Sequence, residues 1–209
     1  MELNNVTQLA QRGMTNAELQ VLFEEDPHTF LEECTKSLLG RDNYFEDNLK
    51  MENYIDIQKM VLERMESDQT FAIQYSSVCF SFLCTFAAKI PESHQEFLWK
   101  QLASNKSSIR GAIFRLLRDG KITFDKNRFM VELQNEIESI LNGEDNLAFQ
   151  YALEVIQALG LRDFVVLLNG ARQKFAQKIQ ELRTNPSEAN IWIEQYLNNA
   201  IAGIQRILG

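Results

Sequence analysis

The sequence predicts an all-α protein of stacked antiparallel helix pairs, with about ten helices and essentially no sheet. Apolar residues recur at three- and four-residue spacing through most of the chain. Only three prolines and nine glycines interrupt 209 residues, too few for many short strands and their turns. One helix also recurs along the chain. The length fits a single all-α domain spanning residues 1–209.

Residues 1–50 are expected to hold the N-terminal helices, after a turn-rich arm at residues 3–9. Thr15 begins a capping box with Glu18, because each side chain can bond the other's free backbone N–H. Asp26 caps the next helix, whose first residue is a proline. The missing N–H of proline costs nothing at that position, so a second helix start is predicted there.

Residues 51–160 are predicted to form repeat-like helix pairs. The helix from residue 71 to about residue 89 is apolar nearly all round, so it should be covered on several sides and lie at the centre of the fold. Polar turns at residues 104–108 and 142–145 separate the later helices. The inward-facing residues of these helices include Ile57, Val61, Leu98, Leu102, Ile113, Leu117, Leu133 and Ile137.

Residues 161–209 are predicted to form a C-terminal helical pair, broken at residues 185–187. The last helix carries an apolar stripe to its end, formed by Ile201, Ile204, Ile207 and Leu208. A closed stack of repeats needs a polar capping face. Either the stripe therefore folds back on the preceding helices, or the chain continues in a longer parent protein.

The repeated helix supports the stacking. Ala72, Gln74, Tyr75 and Leu83 recur 76 residues later as Ala148, Gln150, Tyr151 and Leu159. Placing Gln74, Arg110 and Gln150 in register gives spacings of 36 and 40 residues and aligns three small residues two positions further on. These are Ser76, Ala112 and Ala152. Spacings near 40 are typical of helix-pair solenoids.

The segment from Leu98 to Ala112, with an apolar helix, a polar turn and Ile-Arg-Gly-Ala, resembles a HEAT or armadillo-type repeat. The segment from Ile140 to Ala152 is similar to it. The resemblance covers residues 55–160 and implies an α-solenoid. Arg110 matches the arginine often found at that place, whereas Gln74 and Gln150 depart from it. The rival interpretation is an irregular helical bundle with one duplicated helix pair.

The composition argues against some classes of binding partner. A net charge of −8 argues against whole-protein affinity for nucleic acid or anionic membrane. No apolar run reaches the ~20 residues that span a bilayer, and the N-terminus lacks the blocks of a signal peptide. Cys34, Cys79 and Cys84 are an odd set without Cys-x-x-Cys spacing, which indicates reduced thiols and a cytoplasmic or nuclear location.

Groups that could carry catalysis are few. His28 and His94 are the only histidines, and neither has a metal-ligand spacing. No phosphate-binding loop or nucleophile motif occurs in the sequence. Glu132, Glu136 and Asp145 are expected to face solvent rather than hold metals. The sequence therefore predicts no enzyme, no cofactor, no metal and no small-molecule substrate.

The stretch 100–128 concentrates positive charge, with eight basic residues and two acidic ones. In a stacked array these side chains either line a groove that attracts an acidic peptide or phosphates, or pair with acids on adjacent helices. Arg110 has a separate interpretation, as a hydrogen-bond donor that holds a turn.

The predicted function is a non-enzymatic scaffold for protein–protein interaction, with binding energy concentrated in aromatic and arginine anchors. Nucleic-acid or acidic-ligand binding through residues 100–128 is the alternative. The candidate partner-binding residues are Arg115, Arg118, Lys121, Phe124 and Arg128, with Trp192 and Tyr196 near the end of the chain.

Overall fold

The computed structural model describes residues 14–41, 45, 49–86, 88–184 and 187–209. Ten α-helices lie in these ranges, and no strand does, so the all-α prediction is confirmed there. The arm predicted at residues 3–9 lies outside them. The helices are α1 Asn16–Glu25, α2 Pro27–Leu38, α3 Met51–Ser67, α4 Gln69–Thr85, α5 Glu92–Lys100, α6 Ser107–Arg118, α7 Lys126–Leu141, α8 Leu147–Leu159, α9 Val165–Thr184 and α10 Glu188–Leu208.

The first two helices begin at the capping residues that the sequence predicted. The Thr15 backbone N–H donates to Glu18 Oε2 at 3.0 Å, and the Glu18 N–H donates to Thr15 Oγ1 at 3.4 Å, which completes the capping box of α1. At α2, the Thr29 N–H donates to Asp26 Oδ1 at 3.1 Å. Each bond satisfies an N–H that would otherwise lack a partner in the first turn.

The chain divides into two compact units between Phe97 and Leu98. Unit 1 comprises residues 1–97 and unit 2 residues 98–209. The dividing point lies within α5 and within the segment 51–160 that the sequence grouped as repeats. A single domain over the whole chain stays a prediction.

Unit 1 is held by an aromatic core between its helices. The ring of Phe23 on α1 lies 6.0 Å from that of Phe30 and 5.6 Å from that of Phe71, edge to face in both pairs. The helix α4 packs against α2 and α3. It is buried on most sides but keeps a solvent-facing stripe that includes Ile73 and Gln74. It ends at Thr85, four residues before the predicted end.

In unit 2, α8 packs against both α6 and α10, and α7 packs against α9. Along α6, residues nearer its C-terminal end contact residues nearer the C-terminal end of α8. These two helices therefore run in the same direction. The contacts are Ser107 with Asp145, Gly111 with Tyr151, and Arg118 with Glu154.

The contacts between α8 and α10 show that these two helices also run in the same direction. They are Asn146 with the Tyr196 carbonyl, Gln150 with the Asn199 carbonyl, and Leu153 with Gly203.

Two glycines let these helices approach closely. A Cβ on Gly111 would lie 2.9 Å from Cδ2 of Tyr151, and one on Gly203 would lie 2.7 Å from Cδ1 of Leu153. The small residues Ala112 and Ala152, which the repeat register aligns, are also buried. Small residues therefore set the spacing of α6, α8 and α10.

The core of unit 2 is again aromatic. The Phe129 ring lies 5.8 Å from that of Phe114 and 5.4 Å from that of Phe164, and Phe149 lies 5.9 Å from Phe175. All five rings are fully buried. Burying a side chain of this size contributes about 1.5–3 kcal/mol, so the five rings supply a large part of the stability of this unit.

The apolar stripe of the last helix is directed largely inward. Ile204 is fully buried, and Ile201, Ile207 and Leu208 are half-buried. The exposed positions beside them are Ala202, Gln205 and Arg206. Throughout the part of the chain that the structure covers, no helix has both the length and the apolar character needed to cross a membrane.

Candidate functional site

The buried guanidinium of Arg110 in unit 2 is part of a structural network. Arg110 Nε donates to Glu136 Oε1 on α7 at 2.6 Å, and its Nη2 donates to Glu136 Oε2 at 3.3 Å. Its Nη1 donates to the Ser104 carbonyl at 2.8 Å, and Nη2 also lies 3.3 Å from Glu144. Arg110 therefore holds the turn before α6, as one of its two interpretations predicted.

Burial opposes the charge on Arg110, but the bonds and negative charge of Glu136 outweigh it, so the pKa of Arg110 is raised. Burial raises the pKa of Glu136 against the opposing effect of Arg110. The expectation that Glu136 faces solvent was wrong, because its side chain turns inward to meet this guanidinium. Among the residues with described positions, no group of three or more His, Cys, Asp or Glu side chains could hold a metal ion.

Nearby carboxylates pair with further cations of the basic stretch. Arg118 donates to Asp119 at 2.7 Å and to Glu154 on α8 at 2.5 Å, and the bond to Asp119 is the main cause that raises the pKa of Arg118. Lys126 donates to Asp163, which lowers the pKa of that carboxyl. Much of this positive charge is therefore balanced within unit 2.

Lys121 does not lie on an exposed surface. After Gly120, which adopts a φ of +67°, the chain folds back so that the Lys121 N–H donates to the Leu116 carbonyl at 2.9 Å. The Lys121 residue is only 6% exposed. The turn at the end of α6 therefore withdraws Lys121 from the candidate surface.

Phe124 and Arg128 lie around the start of α7. The Phe124 ring is half-buried and packs 5.3 Å from Phe129. The Arg128 guanidinium lies 5.0 Å from the centre of the Trp99 ring, a cation–π distance. Both predicted residues are thus engaged with the core while part of each side chain remains accessible.

The outward stripe of α8 forms the clearest surface in unit 2. The half-buried Tyr151 ring leans over Gly111 of α6, and the Arg115 guanidinium lies 5.7 Å from its centre. From the other side, Arg206 Nη2 donates to Gln150 Oε1 at 3.3 Å. We call this surface the α8 face. It comprises Arg115, Arg118, Leu147, Gln150, Tyr151, Glu154, Ala158, Asn199 and Arg206.

Trp192 and Tyr196 lie near the beginning of α10. Trp192 is 61% exposed, and its neighbour Ile191 is 65% exposed. Tyr196 is half-buried, and its carbonyl accepts from Asn146 Nδ2 at 3.4 Å. The structure therefore places the candidate partner-binding residues in three groups. Arg115 and Arg118 lie on the α8 face, Phe124 and Arg128 lie around the start of α7, and Trp192 and Tyr196 lie near the beginning of α10.

Sequence reasoning did not place Gln150, Tyr151, Glu154 and Arg206 among the functional residues. Gln150 and Tyr151 carried a signal, because both recur from Gln74 and Tyr75 in the first copy of the helix. Arg206 had no such signal, since its position over Gln150 depends on a contact between residues 56 apart.

A cavity of about 160 Å³ lies between α1 and α3 of unit 1. Glu24, Glu63 and Arg64 line it, and the Arg64 guanidinium lies 5.4 Å from the centre of the Phe71 ring. The Arg64 Nε is buried without a hydrogen-bond partner. A water molecule could satisfy this single donor, and the adjacent carboxylates disfavour an anionic ligand.

Comparison with protein-family models, with curated proteins and with solved structures finds no match to this chain. The HEAT or armadillo resemblance therefore stays a prediction from the residue pattern of the sequence.

Proposed function

We propose that the protein is a non-enzymatic scaffold for protein–protein interaction, built as an α-solenoid of stacked antiparallel helix pairs of the HEAT or armadillo kind. The shared direction of α6, α8 and α10 supports this arrangement. The contacts between α6 and α7 support the antiparallel pairing, because they run in opposite order along the two helices: Arg110 meets Glu136 and Phe114 meets Phe129.

The α8 face is the observation that carries the proposal. Three helices lie side by side there. The central one presents Gln150 and Tyr151, and an arginine from each flanking helix contacts one of them. Tyrosine and arginine are enriched among the residues that dominate binding energy at protein interfaces. The close packing at Gly111 and Gly203 holds the three helices in fixed register, so a partner would meet a preorganised surface.

Phe124, Arg128, Trp192 and Tyr196 extend the proposed contact surface beyond the α8 face. Trp192 is the strongest of these anchors because its indole is largely exposed. A tryptophan that becomes buried on binding removes a large apolar area from water.

Nucleic-acid binding through residues 100–128 is the weaker proposal. Arg110 and Arg118 are bonded to carboxylates, and Lys121 is buried. Affinity for nucleic acid grows with the number of cations that neutralise phosphates, so this stretch offers fewer contacts than its composition suggested.

Photo-crosslinking tests the proposal. A benzoyl-phenylalanine placed at Leu147, which is 43% exposed on the α8 face, should give a discrete protein adduct in the cells that make this protein. The matched control is the same probe at Val131, which is 53% exposed on α7, outside the face. Equal adducts from both positions, or none from Leu147, would contradict the proposal.

A further inference from the structure

Two arginines of the α8 face are not neutralised by carboxylates. Within the described ranges, Arg110, Arg118 and Arg183 each form an ion pair with an acidic side chain. Arg115 and Arg206 have no carboxylate within ion-pair distance in that same part of the chain; Arg115 meets an aromatic ring and Arg206 a neutral amide. Their charge therefore remains available to an anionic ligand.

These two guanidinium groups converge on consecutive residues of α8. Arg115 reaches from α6 to the Tyr151 ring, and Arg206 reaches from α10 to Gln150. The Gln150 Nε2 donates to the Asn199 carbonyl at 3.1 Å, which directs its Oε1 towards Arg206. Contacts with uncharged partners thus already hold both arginine side chains in place. Less side-chain entropy is therefore lost when a ligand binds.

We propose that Arg115 and Arg206 bind two carboxylates of an acidic, extended peptide segment of a partner protein that lies across α8. The arginines approach from opposite sides of one helix, whose diameter is ~10 Å. Alternate side chains of an extended peptide are ~7 Å apart, so acidic residues two to four positions apart in the segment match this separation. Arginine binds carboxylate through two parallel hydrogen bonds, which favours this pairing over weaker polar contacts.

The charges around the site favour an acidic peptide over nucleic acid. Arg118, the third arginine of the face, is already paired with Glu154, so only Arg115 and Arg206 of its described arginines lack a carboxylate partner. A polyphosphate backbone gains affinity from each cation that neutralises a phosphate, whereas a peptide can place two acidic side chains on these two arginines and neutral residues elsewhere. The Tyr151 ring beside Arg115 offers an apolar contact to a neighbouring side chain of the peptide.

The experiment is selection of a displayed random heptapeptide library on the full chain. Peptides with two Asp or Glu residues two to four positions apart should be enriched. Fluorescence anisotropy with the selected peptide should then show at least tenfold weaker binding for Arg115→Glu and for Arg206→Glu. Arg115→Lys should retain part of the affinity, because it keeps the charge but loses the paired hydrogen bonds.

Arg162→Glu supplies the matched control, because Arg162 is an exposed arginine that precedes α9 outside the α8 face. It should change the affinity less than twofold, and circular dichroism should report the same helicity for every variant. Failure to enrich acidic peptides would overturn the proposal. It would also be overturned if the Arg115→Glu and Arg206→Glu variants bound the selected peptide as tightly as the unsubstituted chain does. Tighter, arginine-dependent binding of a 20-nucleotide oligo-dT would assign the site to nucleic acid instead and would also overturn it.

This inference rests on the proposed function, and the crosslink at Leu147 separates the two. If the adduct persists in the Arg115→Glu/Arg206→Glu double variant, the scaffold function stands and the acidic-peptide chemistry fails. If the chain with both arginines intact gives no adduct from the probe at position 147, the scaffold function itself fails.

Discussion

Arg110 illustrates how one side chain in a basic stretch can serve the fold rather than a ligand. Its side chain is 7% exposed and that of Glu136 is 3% exposed, so the ion pair between α6 and α7 is almost dry. Such a pair is costly to desolvate and often adds little net stability. Removing either partner would leave the other charge buried without compensation, so the pair requires that α6 and α7 keep this contact.

At this scale we predict that Arg110→Ala destabilises the protein by about 3–5 kcal/mol, because Glu136 remains buried without its partner. The double variant Arg110→Met/Glu136→Leu should lose much less, since it removes both charges and keeps apolar volume. Urea unfolding followed by circular dichroism measures both changes. Equal losses in the single and double variants would show that the pair itself, and not the orphaned carboxylate, accounts for the effect.

The three cysteines show the same influence of burial. Cys34, Cys79 and Cys84 are free and buried. Burial raises the pKa of Cys79 to about 12 and that of Cys34 well above its usual range. Thiolates rather than thiols react, so Cys34 and Cys79 act as small apolar residues of the core.

At the scale of elements, the spacing of helices in unit 2 depends on what lies at their contact. α6 and α8 meet where Gly111 receives the Tyr151 ring, and α8 and α10 meet where Gly203 receives Leu153. A glycine within a helix costs about 0.5–1 kcal/mol relative to alanine. Glycine occupies both contacts because a methyl group at either position would lie too close to the facing side chain.

A double-mutant cycle tests this explanation. Gly111→Ala in the wild-type background should destabilise by about 1 kcal/mol, because the clash with Tyr151 exceeds the gain in helix propensity. In the Tyr151→Ala background the same substitution should stabilise by about 0.5–1 kcal/mol, since the ring is absent. The measurement is the free energy of unfolding for all four proteins. The same sign in both backgrounds would refute the role of the ring.

At the scale of the whole molecule, the chain is organised as two compact units, each with its own aromatic core. The boundary between Phe97 and Leu98 lies inside α5, so a fragment that respects the helices begins before Glu92. A chain of roughly 120 residues is long enough to bury a continuous core.

We therefore expect the fragment 91–209 to fold independently. It should show helical circular dichroism and a cooperative thermal transition, because the five phenylalanines that form its core are all retained. Near-ultraviolet circular dichroism provides the control, since fixed aromatic packing gives a signal that a loose helical collapse does not. A fragment that unfolds without a transition would contradict the independence of unit 2.

Much of the fold was predictable from the sequence because its causes are local. The caps at Thr15 and Asp26 start the helices where they were expected, since each capping bond joins residues three apart. The all-α class followed from apolar periodicity and the scarcity of glycine and proline. The end of α4 was misplaced because the apolar sequence continues past Thr85 while the backbone becomes extended at Phe86.

What the sequence by itself determined is the set of helices and their caps, because these depend on neighbours within a few positions. Only the tertiary structure decided which cations remain available to a partner. Arg110 is paired with a carboxylate 26 residues away and Arg118 with one 36 residues away, whereas Arg115 meets the ring of Tyr151. A composition count gives every cation the same weight, but folding brings carboxylates to some and leaves others with neutral partners.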